Sequence, residues 1–248
     1  MSSFQLFNEQ ERESLRRNGK ILRGCLEHVA SLVRPGISTK DLDKAGETYI
    51  RDHGGVPGFK GYNDYPSSLC LSVNEECVHG LPGKRILKDG DILSIDGGVI
   101  LDGLNTDACI TVPVGSISSE AKRLLRATQE ALDRAVELVR PGTRVGDLSS
   151  AIQKSIEGSG CTPVEDLTGH GLGTHLHQFP EIPNRGRRGS GAVLPAWTLI
   201  AIEPIVTLGN GVIRQLQDGW TIITADGTLA AHCEHTILTT ENGMEIIA

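Results

Sequence analysis

The chain has 248 residues, 38% of them hydrophobic and 22% charged, with a formal net charge of −7 at pH 7. That length can bury a sizeable core, as one large α/β domain or two fused halves. The acidic balance excludes a general nucleic-acid coat, leaving room only for a local basic patch, and no apolar run approaches membrane-spanning length.

The opening MSSFQLFNEQERESLRR is polar and charged and does not read as a signal peptide. Asn8 to Val33 then predicts a helix, with acidic residues near its start and Arg34-Pro35-Gly36 closing it. A second helix starts near Ser38 and ends before Gly54-Gly55. In the strand DILSIDGG, Leu93 and Ile95 fall on one face and Ser94 and Asp96 on the other. Asp107 opens the apolar strand DACITV. Ser119 to Val139 predicts a third helix, closed by Arg140-Pro141-Gly142, and Val145 to Glu157 a fourth. In TLIAIEP, Ile200 and Ile202 oppose Ala201 and Glu203. HCEHTIL reads as one strand, with His232, Glu234 and Thr236 on one face and Cys233, His235 and Ile237 on the other. The six cysteines (Cys25, Cys70, Cys77, Cys109, Cys161 and Cys233) have no short paired spacing, which suits reduced cytosolic thiols better than disulfides or a cysteine zinc site. A cytoplasmic location is expected.

The order of elements repeats. VRPGISTKDL at 33–42 matches VRPGTRVGDL at 139–148, an offset of 106; LKDGDILSID, ending at Asp96, matches LPAWTLIAIE, ending at Glu203, an offset of 107. One RPG is a common helix stop. Two matched segments in one order at nearly one offset indicate a duplication, with pseudo-symmetric halves at about 8–115 and 116–245 of a single catalytic domain, 1–248. Helical runs alternating with strands predict an α+β fold, helices on one face of an antiparallel sheet.

Asp96, Asp107, Glu203 and Glu234 thus stand in or beside strands that otherwise read as core. A single such acid is ordinarily salt-bridged or at an exposed edge. Four together raise one another's pKa and oppose folding unless cations neutralise them. Two divalent ions would balance four negative charges, which points to a dinuclear site. GHGLGTHLHQFP supplies His170, His175 and His177 among glycines that let backbone crowd close. One neutral imidazole there can complete the metal shell. Mostly oxygen donors plus one histidine favour manganese, iron or cobalt over structural zinc. His28, His53 and His175 read as hydrogen-bonded core or surface residues. RGRRGSG at 185–191 reads first as a solvated loop and second as a transient contact with ribosomal RNA.

NTDACITV, TGHGLGTHLHQFPEIPN, AIEPIV and CEHTIL resemble the motifs of the methionine aminopeptidases, whose fold is the duplicated "pita-bread", and the resemblance covers nearly the whole chain. It implies removal of the initiator methionine from nascent chains; a monomer with no DNA or membrane partner is expected. Residue by residue, it implies that Asp96 chelates one metal, that His170 and Glu203 bind the other, and that Asp107 and Glu234 bridge. GYNDYPSSLCLSVNEECVHGLP is similar to the family's substrate wall, placing Tyr62, Tyr65 and Cys70 in a methionine pocket closed by Trp220. His79 and His177 match its two catalytic histidines that bind no metal. The resemblance also implies a small second residue in the substrate, so a start of Met1-Ser2 is itself expected to be cleaved. Departures are Gln178 and Phe179, where acidic residues are usual, and Phe59, where small residues or cysteine are common in bacterial relatives. Only 31 positions separate Glu203 from Glu234, too few for the helical insertion of type II enzymes. The rival readings are a proline-specific peptidase of the same fold, which normally carries an added N-terminal domain, and a peptide-binding relative that has lost catalysis.

Overall fold

The computed structural model describes residues 3–248; Met1 and Ser2, on which the expectation of self-cleavage falls, lie outside the described residues. Helix α1 (Glu9–Leu32) begins at a reciprocal cap: Glu11 N–H donates to the Asn8 side chain at 3.1 Å, and Asn8 N–H donates to the Glu11 carboxylate at 2.8 Å. Two otherwise orphaned donors are thereby satisfied. Helix α2 (Thr39–Asp52) is capped by Ser38, helix α3 (Ser119–Val136) by Ser118, and helix α4 is Val145–Gly158. Helix α3 stops short of Val139 because the N–H groups of Leu138 and Val139 reach back only three residues, to Ala135 and Val136, tightening the last turn.

The two RPG stops do the same job in each half. Gly36 and Gly142 take left-handed φ values of 92° and 90°, which favour glycine. Their N–H groups donate to Leu87 and Leu194. Ser38 bridges Ile86, and Arg144 bridges Val193, in the same relation. These backbone contacts reproduce the sequence offsets of 106 and 107.

In the first half, Ile92–Leu101 pairs along its length with Leu104–Pro113, and its other edge carries Leu69–Val73 and Val56–Pro57, all antiparallel. The hairpin closes on Asp102-Gly103, both left-handed (φ 52° and 77°), the geometry that matches strand twist in a two-residue turn. In the second half, the strand order is Met244–Ile246, His235–Thr239, Leu199–Ile202, Thr168–Gly171, Gln178–Pro183, again antiparallel. Helices α1 and α2 cover one face of the first sheet, burying Leu22, Leu26, Leu42 and Ile50 against Leu69, Leu93, Ile95 and Val99. Helices α3 and α4 do likewise with Leu124, Leu132, Leu148 and Ile152 against Ile200, Ile202 and Ile237. Each such side chain contributes roughly 1.5–3 kcal/mol on burial. The helices take one face of each sheet, so the acids, on the other, are free to meet.

The last strand expected from the sequence is broken. HCEHTIL is two strands: Ala230–His232 pairs with Ile205–Thr207, and His235–Thr239 with Leu199–Ile202. Glu203-Pro204 interrupts the facing strands, and the chain at Cys233-Glu234 breaks opposite it, Cys233 N–H donating to the Pro204 carbonyl. Glu234 instead bridges Cys109 in the other half. Thr236 Oγ1 adds to that seam, accepting from Asp107 N–H at 2.9 Å and donating to the Asp107 carbonyl at 2.6 Å.

Candidate metal centre

Two antiparallel ladders deliver the acids. In the first, Asp96 lies opposite Cys109 and Asp107 opposite Gly98, so the acids are diagonal neighbours on one face. Asp107 therefore sits inside Leu104–Pro113 and does not open it. Gly98 must lack a side chain, because a Cβ there would lie 2.7 Å from Phe59 Cε1. In the second, the register that pairs His235 with Ile202 brings Glu234 alongside Glu203. His170, opposite Ala201 on the next strand, falls on the same face.

Ligand atoms of Asp96, Asp107 and Glu234 lie within 4.8 Å of one another, as do those of His170, Glu203 and Glu234. Glu234 is common to both triads, and Asp107 also groups with His170 and His177. One oxygen each of Asp96, Asp107 and Glu234 is buried without a hydrogen-bond partner. Among the described residues, the only basic groups within ion-pair distance of the four acids are the imidazoles of His170 and His232. Burial pushes the Asp96 carboxyl up to about 7. Burial and then repulsion from neighbouring acids hold Asp107, Glu203 and Glu234 well above the carboxylate range. Buried, mutually repelling, unpartnered carboxylates are costly unless cations compensate them. The donor set fits a pair of divalent ions.

His170 completes it. Its Nδ1–H donates to the Gly171 carbonyl at 2.9 Å, which leaves Nε2 facing Glu203 Oε1 at 3.5 Å and Asp107 Oδ2 at 3.9 Å. Burial, with His177 adding, depresses its pKa to about 3, so these are not ion pairs. A neutral imidazole anchored through its other nitrogen is the form that binds metal.

The acids floor a cavity of about 170 Å³ that also touches Phe59, Tyr62, Tyr65, Cys70, Leu176 and Trp220. Tyr65 meets Trp220 edge-on at 5.1 Å, and its hydroxyl donates to the carbonyls of Leu69 and Gly80. His79 lines the cavity with a left-handed φ of 57°, a conformation costly for a non-glycine residue. His177 stands at the mouth, its Nδ1 2.9 Å from Tyr62 Oη. Proximity alone admits His177 as a ligand; the tyrosine bond favours a substrate-facing role. The residues that the resemblance assigns to metal, substrate and catalysis all line this cavity. His28 and His53 lie elsewhere, flanking Tyr49, and His175 is exposed.

His232 also lines the cavity and was not foreseen. It is 2% exposed, with neither ring nitrogen hydrogen-bonded, and Nε2 lies 3.6 Å from Glu203 and 3.7 Å from Glu234. Burial lowers its pKa to about 3. The available signal was its place two residues before Glu234 on the same face.

Comparisons with known proteins agree with this geometry. The sequence model of metallopeptidase family M24 matches residues 13–241. A methionine aminopeptidase of Clostridium perfringens is 46% identical over 242 residues, 98% of this chain and 97% of that protein. The crystal structure of a methionine aminopeptidase from Thermotoga maritima superposes with a TM-score of 0.97 at 41% identity, covering 99% of both chains. A prolidase from Pyrococcus furiosus, at 22% identity and a TM-score of 0.79, shares the fold alone, and this chain covers 64% of it. The chain belongs to metallopeptidase family M24 and, within it, to the type I methionine aminopeptidases.

Proposed function

We propose that this chain hydrolyses the peptide bond after an N-terminal methionine, acting on new polypeptides whose second residue is small. The observation that carries the reading is a single chamber in which an apolar, sulfur-bearing cavity abuts the five-ligand cluster. Rings of Phe59, Tyr65 and Trp220 with Cys70 suit an unbranched, polarizable thioether.

Divalent ions held there, with manganese, iron or cobalt suited to this donor set, supply polarisation of the scissile carbonyl and acidification of water. Asp96 would hold one ion and His170 and Glu203 the other, with Asp107 and Glu234 available to both; the triads sharing Glu234 support that division. Glu203 moves the proton from attacking water to the leaving amine. With Tyr62 donating to Nδ1 of His177, Nε2 keeps its proton and points a neutral donor at the developing oxyanion. His79, kept neutral by burial, serves the scissile nitrogen.

The chain works as a cytoplasmic monomer on nascent N-termini. No helix of the described residues is long and apolar enough to cross a membrane. Arg185 and Arg188 of the 185–191 loop face Glu165 and Asp147, which favours a solvated loop over a ribosomal RNA contact.

The test is to incubate metal-loaded protein with Met-Ala-Ser, Met-Pro and Gly-Pro peptides and weigh the products. Free methionine from the first is the expected result. Cleavage confined to the proline peptides selects the proline-specific rival, and binding without cleavage selects the non-catalytic one.

A further inference from the structure

We propose that the segment Phe4–Phe7 is a positioning strap for His177, with Gln5 and Phe4 fixing the backbone on both sides of it; the inference rests on the substrate-facing role of His177 given above. The loop from Leu172 to Phe179 carries that histidine. From within, Asn105 holds it, its N–H and Nδ2 both donating to the Gly173 carbonyl at 2.7 and 2.8 Å. From outside, a single oxygen gathers most of the bonds. Gln5 Oε1 accepts from Thr174 N–H at 3.1 Å, Thr174 Oγ1 at 3.0 Å and Gln178 Nε2 at 3.2 Å. These donors bracket residues 175–177. Gln178 Nε2 also donates to the Leu172 carbonyl at 3.1 Å, tying the loop's two ends together.

Packing repeats the pattern. Phe4 meets Phe179 edge-on, with centroids 4.8 Å apart. A Cβ on Gly173 would lie 2.6 Å from both Gln5 Oε1 and Phe7 Cζ, so the strap passes closer than any other residue at 173 permits. The strap is itself anchored, since Phe7 is 2% exposed in a cluster with Leu15, Leu104 and Leu172, and its N–H donates to the Trp197 carbonyl at 2.9 Å.

Gln178 and Phe179 are the positions where this chain departs from the usual acidic residues after the histidine. Both touch the strap. An amide at 178 donates to Gln5 Oε1, where a carboxylate would repel it, and an aromatic ring at 179 gives Phe4 a partner. The departures and the strap thus form one device. Tyr62 sets the ring of His177, and the strap sets its backbone.

The test compares Gln5→Ala, Gln5→Glu and Thr174→Val combined with Gln178→Ala against wild type and His177→Ala in the metal-loaded protein, on Met-Ala-Ser. The readouts are kcat and KM separately, bound metal, Tm, and hydrogen exchange across 172–179. Misplacing a reacting group by about 1 Å can cost ~10²-fold in rate, so a kcat loss of roughly tenfold or more is expected for Gln5→Ala. KM and metal content stay near wild type, exchange quickens at Thr174 and Gln178, and Gln5→Glu, which keeps the acceptor, restores kcat. Wild-type kcat in Gln5→Ala, or a Gln5→Glu variant as slow as Gln5→Ala, overturns the strap. If Gln5→Ala does not fold, Thr174→Val combined with Gln178→Ala removes both side-chain donors to Gln5 Oε1 without touching the segment, and unchanged kcat there overturns the strap. Should His177→Ala keep full kcat, the role of His177 falls first and the strap's purpose with it; a slow His177→Ala beside a normal Gln5→Ala removes the strap alone.

Discussion

Replacing Asp107 by Asn should reverse the sign of its effect on stability according to whether metal is bound. Ligand oxygens of Asp96, Asp107 and Glu234 lie within 4.8 Å of one another. At an effective dielectric constant near 20, two unit charges at that separation repel by about 3 kcal/mol. In chelator-treated protein these groups take up protons on folding, since burial raises all three pKa values and repulsion from neighbouring acids adds to it for Asp107 and Glu234. Raised carboxyl pKa values mean that the folded form binds protons more tightly than the unfolded one, so metal-free stability falls as pH rises from about 4. For Asp96 the loss continues to about 7. The substitution removes one charge from the set, and the new amide can donate to the Asp96 carboxylate. Metal-free Asp107→Asn should therefore be more stable than metal-free wild type at pH 8 by about 1–3 kcal/mol, or roughly 2–10 °C in Tm, and the gap should close toward pH 4. With metal the order should invert, because one of the proposed ligands is gone; a 100-fold weaker affinity removes about 2.7 kcal/mol of ligand stabilisation. Thermal melts at pH 4, 6 and 8, with chelator and with manganese, measure all of this. A variant no more stable than wild type at pH 8 under chelation refutes the electrostatic reasoning.

His79→Ala and His177→Ala should retain metal while losing rate, His177→Ala by the roughly 2.7–4 kcal/mol in transition-state stabilisation of a lost oxyanion donor; metal analysis beside kcat separates the two effects, and unchanged kcat in both returns them to plain wall residues. Gly98→Ala should press on the Phe59 ring and narrow the cavity, raising KM for methionyl peptides, with Phe59→Leu in the same chain recovering much of the loss. No recovery in the double variant would mean that Gly98 acts through the hairpin and not through the ring.

Legibility followed locality. Caps and RPG stops are chemistry within a few residues, so Asn8, Ser38 and both glycine turns marked the helices to within about a turn. Asp96 and Glu203 were legible because alternation places one polar side chain among apolar ones. The break at Cys233-Glu234 was not, since the two-residue period runs through it unchanged and only the facing Glu203-Pro204 shows that the ladder changes partner. Asp107 reads as a strand start unless the Asp102-Gly103 turn, which sets its register, is placed first. His232 looks like one more member of a strand face. Gln5 carries no signature at all; its importance comes from residues about 170 positions away.

The seam between the halves has a further consequence. One half contributes Asp96 and Asp107 and the other His170, Glu203 and Glu234, while the backbone joins them there through the Cys109–Glu234 bridge and the paired bonds of Thr236. A cation held across that line would be a crosslink between the two halves. Breathing of the halves and occupancy of the site are then reciprocally linked: whatever loosens the seam weakens binding by the same factor that binding tightens the seam. The amides of Asp107, Cys109 and Glu234 should report it, exchanging more slowly as metal is added, well before the outer helices respond. A fragment carrying either half alone holds at most three of the five proposed ligands, so neither of the two similar layers can complete the site without the other.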